Sequence, residues 1–254
     1  MNLSAMTVLL VAVASVRAFA AETNPPDPIL QNTSGKTVLR KVSQSNDLTI
    51  LVVSRAGTSV LLDPRSGDLA ADLIAVTHEH QVEEHVVVKP KWRSYEVVKG
   101  LSHVVTAPGP AGAKDVRLTG IAASHYPGPV KVPPDYVIYL LEVDGLRLAY
   151  FPCLVQEHFT PEQRALLGTV DVALISAEDD RDGRRAAMSY RLALELEPRV
   201  VIPLTHHDGD LEGALAAIEE LGGEVERRPD PLVLDQAALG SAHARVVDLL
   251  ATHP

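Results

Sequence analysis

A single cysteine, Cys153, stands in 254 residues, so no intramolecular disulfide can form and a disulfide-stapled scaffold is excluded. Aromatic residues make up only 4% of the chain. Val, Leu, Ile and Ala must therefore build the core, which favours sheet layers over a helical bundle. Positive charge is also short: 23 Lys and Arg stand against 33 Asp and Glu, for a net charge of −10. Nucleic-acid phosphates call for clustered basic residues, and the pairs Arg184-Arg185 and Arg227-Arg228 sit among acids. No nucleic-acid partner is expected. The apolar stretch from Thr7 to Val16 covers ten residues, too short to span a bilayer, so no integral membrane segment is expected in the mature chain.

That stretch has another reading. Ala18-Phe19-Ala20 followed by Ala21 fits the small-x-small pattern cut by signal peptidase, and Asn24-Pro25-Pro26-Asp27-Pro28 then reads as an extended linker. We therefore expect a signal peptide over 1–21, a linker over 22–36 and one domain over 37–254. Export to the periplasm or the exterior follows from the leader. A lone cysteine in an oxidising compartment is buried and inert, reactive, or bound to a metal.

The richest signal is a repeated construction. Asp72 to Thr77 is a short apolar run that stops at His78-Glu79-His80; Val116 to Ala122 leads to His125; Leu146 to Phe151 leads to Cys153; Val200 to Thr205 leads to His206-His207. Each run reads as a buried strand followed by a borderline or soft metal ligand. Strands whose carboxyl ends share one sheet edge would bring these ligands together, the usual place for a site on a sheet. His103, His158, His243 and His253 lack such spacing and read as surface residues or helix-end charges.

Between these strands the pattern predicts an antiparallel meander over Thr37 to Val42, Leu48 to Ser54 and Ser59 to Leu62, and a short helix over Glu83 to Val88. It also predicts a hairpin, Tyr136 to Val143 and Leu146 to Phe151, turning on Asp144-Gly145. The second half alternates strand and helix. Thr160-Pro161-Glu162-Gln163 carries a capping box with proline at the first helical position, and Gly168 stops that helix. A second helix, Ala186 to Leu196, is expected to turn Met188, Leu192 and Leu196 inward; a third, capped by Asp210, buries Leu211, Leu215 and Ile218. The fold class expected is α+β (α/β), a four-layer αββα sandwich of two mixed sheets with helices outside.

With these residues in place, the chain resembles the metallo-β-lactamase superfamily, and within it the lactonase-like, metal-dependent hydrolases. Leu62-Asp63-Pro64 is similar to the strand-ending "IDP" of that branch, and Thr77-His78-Glu79-His80 to the start of its T-H-x-H-x-D-H signature. His125 corresponds to the next ligand, Asp171 to Ile175 to a late strand, and Val201 to His206 to the "viPmH" ending. The resemblance implies a metal, by default zinc, at His78, His80 and His125. It implies a second, incomplete site at Cys153 and His206, with Glu83 or His85 as a further ligand. A metal-activated water would act on a small-molecule ester, lactone, amide or phosphodiester. Two departures stand out. Val82 and Glu83 replace the Asp and His of the signature, with Glu84-His85 two residues later, and Cys153 replaces a bridging Asp. These departures also fit an alternative, a catalytically degenerate binding module that keeps the sandwich.

Overall fold

The computed structural model describes residues 32, 34–41, 49–64, 71–78, 103–108, 114–125, 135–177, 184–205, 211–229, 231–237, 239–240 and 244–250. The expected signal peptide, most of the linker and the helix over 83–88 lie outside them. The elements in chain order are β1 (Thr37–Lys41), β2 (Ile50–Val53), β3 (Ser59–Leu62), β4 (Leu73–Ala75), β5 (His103–Pro108), β6 (Lys114–Ala123), β7 (Tyr136–Val143), β8 (Leu146–Phe151), α1 (Pro161–Leu167), β9 (Val172–Ser176), α2 (Arg184–Leu194), β10 (Val200–Leu204), α3 (Leu211–Glu220), β11 (Glu224–Pro229), β12 (Leu232–Leu234) and β13 (Arg245–Leu250).

The strands form two sheets, ordered β12-β1-β2-β3-β4 and β11-β13-β10-β9-β8-β7-β6-β5. β1, β2 and β3 are the expected antiparallel meander, but β4 returns parallel to β3. In the larger sheet β5 to β8 are antiparallel, while β8, β9, β10, β13 and β11 all run the same way. Every residue of β2, β9 and β10 is buried. Strands covered on both faces cannot alternate polar and apolar, which is why they read as continuous apolar runs. One cluster joins the sheets, with Leu39, Val52 and Leu62 from the smaller and Leu118, Tyr139 and Leu148 from the larger. Full burial of such a side chain contributes about 1.5–3 kcal/mol.

The helices pack against strands of the larger sheet: α1 on β6, α2 on β9 and β10, α3 on β11. The capping box of α1 is complete: Thr160 accepts the Gln163 backbone N–H and the Gln163 side chain accepts that of Thr160. Buried Gln163 also donates to the Ala122 carbonyl at 2.9 Å, bracing the strand that leads to His125. The hairpin turn sits at positive φ at both Asp144 (50°) and Gly145 (81°), as a type I′ connection requires. Among the described residues no helix is long and apolar enough to cross a membrane.

Two details correct the sequence reading. Met188 is only half-buried; the inward face of α2 is carried by Ala186, Ser189, Tyr190, Leu192 and Ala193, with Leu196 buried just past the helix end. That face lies against β9, β10 and α3. Leu211 is likewise half-buried, and Ala214 takes its place beside Leu215 and Ile218.

Asp248 on β13 is buried beside Arg227 (3.5 Å), and burial pushes its carboxyl above the ordinary Asp value of 3.8 despite the attraction of Lys41 and Arg227. A raised folded-state pKa means that stability is fully present below the unfolded value and declines as pH rises through the folded one. Asp248→Asn, which mimics the protonated form, is therefore expected to melt higher than the parent at pH 7. The gap should close as pH falls below 4, measured by thermal unfolding across that range.

Candidate metal centre

The topology puts several chain segments at one edge. β6 and β8 run parallel through the intervening antiparallel β7, so both leave the sheet where β7 enters it. His125 and Cys153 follow β6 and β8 by two residues each, and Tyr136 is the first residue of β7, paired with Ala123. The smaller sheet joins this edge through β4: the Val137 N–H donates to the Thr77 carbonyl at 2.8 Å, and the Tyr139 hydroxyl donates to the Val76 carbonyl at 2.9 Å. His78 is the next residue along.

The orientation of His78 can be derived from its supports. Asp63 ends β3 in the left-handed region (φ 44°) and is fully buried. Its carboxylate accepts the Thr77 N–H (2.7 Å), the Thr77 hydroxyl (2.7 Å) and the Tyr150 hydroxyl (3.0 Å). Thr77 Oγ1 also meets His78 Nδ1 at 2.9 Å. A threonine hydroxyl has one hydrogen, and a carboxylate can only accept it. The oxygen therefore acts as acceptor toward the ring, Nδ1 carries the proton, and the lone pair is left on Nε2. This is the tautomer a metal ligand needs, fixed by an outer-shell partner in the way ligating histidines generally are.

His125 follows β6 with its backbone N–H donated to Asp135 at 3.1 Å. Its ring stacks on that of His78, with centroids 4.7 Å apart and planes at 19°. Two nitrogens on one tetrahedral zinc-class ion lie about 3.3 Å apart, a spacing that adjacent stacked imidazoles can meet. Tyr136 packs beside both rings, at 5.5 Å from His78 and 6.1 Å from His125. Its hydroxyl donates to the carbonyl of Pro152, the residue before Cys153. Cys153 itself is buried and turns the chain at φ 65°. Burial, reinforced by the neighbouring Cys153 and Asp63, pushes the Tyr136 phenol far above its usual range; burial and Asp63 do the same to Tyr150 and Tyr139. All three remain protonated and act as donors. At the end of β10, buried Thr205 has a hydroxyl with no partner among the described residues.

The structure thus brings His78 and His125 together, and Tyr136 links them to Cys153. His80, Glu83 and His206, together with Glu84, His85 and His207, lie outside the described residues. Among the described residues no three His, Cys, Asp or Glu side chains form a group able to hold one ion, so Cys153 does not complete a set with the two imidazoles by itself. The donor chemistry of the pair fits a zinc-class metal: two imidazoles, one with its ligating nitrogen already prepared. Sequence reasoning passed over Asp63, Thr77, Tyr150 and Tyr136 as site residues. Leu62-Asp63-Pro64 offered a signal for Asp63; nothing local marked the tyrosines.

Residues 46–205 match the family described as the beta-lactamase superfamily domain. The chain belongs to the metallo-β-lactamase superfamily, and its two packed sheets with outer helices are that fold. Similar solved structures include a protein from Thermotoga maritima assigned as a zinc-dependent hydrolase of the superfamily, at 15% identity and TM-score 0.58 over 84% of this chain and 100% of that one. Another is the metallo-β-lactamase fold protein YhfI from Bacillus subtilis, at 11% identity and TM-score 0.51 over 85% of this chain and 97% of that one. A third is CmlA, a diiron β-hydroxylase from Streptomyces venezuelae, at 14% identity and TM-score 0.50 over 80% of this chain and 55% of that one. No curated protein matches the chain.

Proposed function

We propose that this chain is a metal-dependent hydrolase of small-molecule esters, lactones, amides or phosphodiesters, with zinc as its metal. The observation that carries the reading is the stacked pair His78 and His125, 4.7 Å apart at a strand-end edge, with the His78 proton held on Nδ1 by Thr77. In this reading His80 is the third imidazole, and Cys153, His206 and Glu83 form a second, weaker site. A zinc-class ion bound there supplies Lewis acidity and lowers the pKa of water into the neutral range. Asp63 and Thr77 hold His78 in its ligating tautomer, His125 is set by the end of β6, and the buried Tyr136 ring packs beside both imidazoles. CmlA, matched over 55% of its length, is a diiron protein. The thiol of Cys153, a soft ligand, favours zinc here.

A second reading, a degenerate binding module, draws on Val82 and Cys153, which replace an acid and a carboxylate of the family signature. The two readings part on one experiment. Purified protein, stripped with chelator and reloaded with zinc, is assayed against generic esters, lactones and phosphodiesters. Turnover restored by zinc supports the hydrolase; bound zinc without turnover of any of them supports the binding module.

A further inference from the structure

We propose that Tyr136 is a positioning residue that holds the Pro152-Cys153 turn in register with the two imidazoles, so that one side chain couples the two halves of the centre. The inference rests on the metal-centre reading above. Tyr136 is fully buried, and its hydroxyl sits between the Thr77 hydroxyl on the histidine side and the Pro152 carbonyl on the cysteine side. Its ring lies 5.5 Å from His78 and 6.1 Å from His125, while its hydroxyl donates to the Pro152 carbonyl. Cys153 comes next and is buried. Its positive φ (65°) is a conformation L residues avoid without support. The carbonyl that precedes it is therefore the natural point at which to fix the thiol. Backbone bonds close the turn itself, with the Leu154 N–H donating to the Phe151 carbonyl at 3.4 Å, and β9 pairs with β8 as far as Phe151, but they do not tie the turn to the start of β7. The β7–β8 register pairs Tyr139 with Tyr150 and runs from there back to the hairpin turn, so the first residues of β7 and the segment after Phe151 meet through the Tyr136 side chain.

Tyr139 offers a matched comparison. It is equally buried and also donates to a backbone carbonyl, that of Val76 at 2.9 Å, on the histidine side of the site. Losing either hydroxyl deletes the same atom from the same core. The Tyr136 hydroxyl bonds to the cysteine turn, the Tyr139 hydroxyl to the strand end before His78.

Cobalt(II) reports the two halves separately: visible d–d bands show that an ion is held, and a thiolate-to-cobalt charge-transfer band in the near ultraviolet shows that Cys153 ligates an ion in the second site. Wild type is expected to show both. Tyr136→Phe should keep the visible bands, lose the charge-transfer band and bind cobalt about 10-fold more weakly, the low end of outer-shell effects. Tyr139→Phe should keep both bands. Placing 4-aminophenylalanine at 136, which restores an N–H donor, should restore the charge-transfer band, and it keeps the question open to measurement should Tyr136→Phe not fold. A charge-transfer band intact in Tyr136→Phe, or lost in the 4-aminophenylalanine variant, overturns the proposal and leaves the metal centre standing. Visible bands without a charge-transfer band in wild type also overturn it. Wild type that holds no cobalt, iron or zinc overturns the metal-centre reading itself.

Discussion

Asp63→Asn is expected to weaken metal binding about 10- to 100-fold, the range for outer-shell partners, and to lower stability by about 2–4 kcal/mol through unsatisfied buried donors. Asn tolerates the left-handed backbone at φ 44°, so the substitution leaves the turn intact and changes only the chemistry of the side chain. The carboxylate accepts three hydrogens, from the Thr77 N–H, the Thr77 hydroxyl and the Tyr150 hydroxyl. An amide presents two hydrogens of its own toward these same donors, and at least one must lose its partner. The Thr77 hydroxyl is then free to turn and donate to His78 Nδ1, which moves the ring proton to Nε2 and removes the lone pair from the ligating nitrogen. Competition against a chromophoric zinc chelator reads the affinity, and denaturant unfolding of the metal-free protein reads the stability. Unchanged affinity alongside reduced stability would show that Asp63 supports the fold and has no hold on the ligand.

The second large effect is on turnover. If hydrolysis is confirmed, His125→Ala should reduce kcat/KM by about 1,000-fold or more, because a metal contributes several kcal/mol to the transition state and each 1.36 kcal/mol is tenfold in rate. His125 follows β6 by two residues, just past the brace that Gln163 of α1 makes to Ala122, and its ring stacks on His78. Removing it leaves His78 facing a void where the second imidazole stood. Chelation of the wild type should produce a loss of the same size, reversed by zinc; His125→Ala should not recover on zinc addition. Equal activity in stripped and loaded wild type would move the chemistry away from this edge.

Much of this edge was legible along the chain because the clues are local. Strands that end in a histidine or cysteine show their ligands in sequence, Asp144-Gly145 announces its turn, and Thr160 to Gln163 spells out a helix start. What escaped depends on distance. Asp63 reaches Thr77 across 14 residues and Tyr150 across 87, and no window on the sequence joins them. Tyr136 has the look of any apolar strand residue until the β6–β7 register sets it beside His125. β11 was hidden by composition: it reads Glu-Val-Glu-Arg-Arg-Pro, a charged run, and becomes a strand because β13 inserts between it and β10. In α2 the helical period was readable, but which residues face β9, β10 and α3, with Ala186, Tyr190 and Ala193 inward and Met188 half-buried, was set by tertiary packing.

A shared ion needs both imidazoles, and counting ions per chain asks for it directly. Wild type, His78→Ala and His125→Ala are loaded with zinc, dialysed against metal-free buffer and measured by plasma mass spectrometry. Wild type should retain at least one zinc per chain, and each variant should lose it. Wild type that retains none, or variants that retain as much as wild type, would contradict a metal held by His78 and His125.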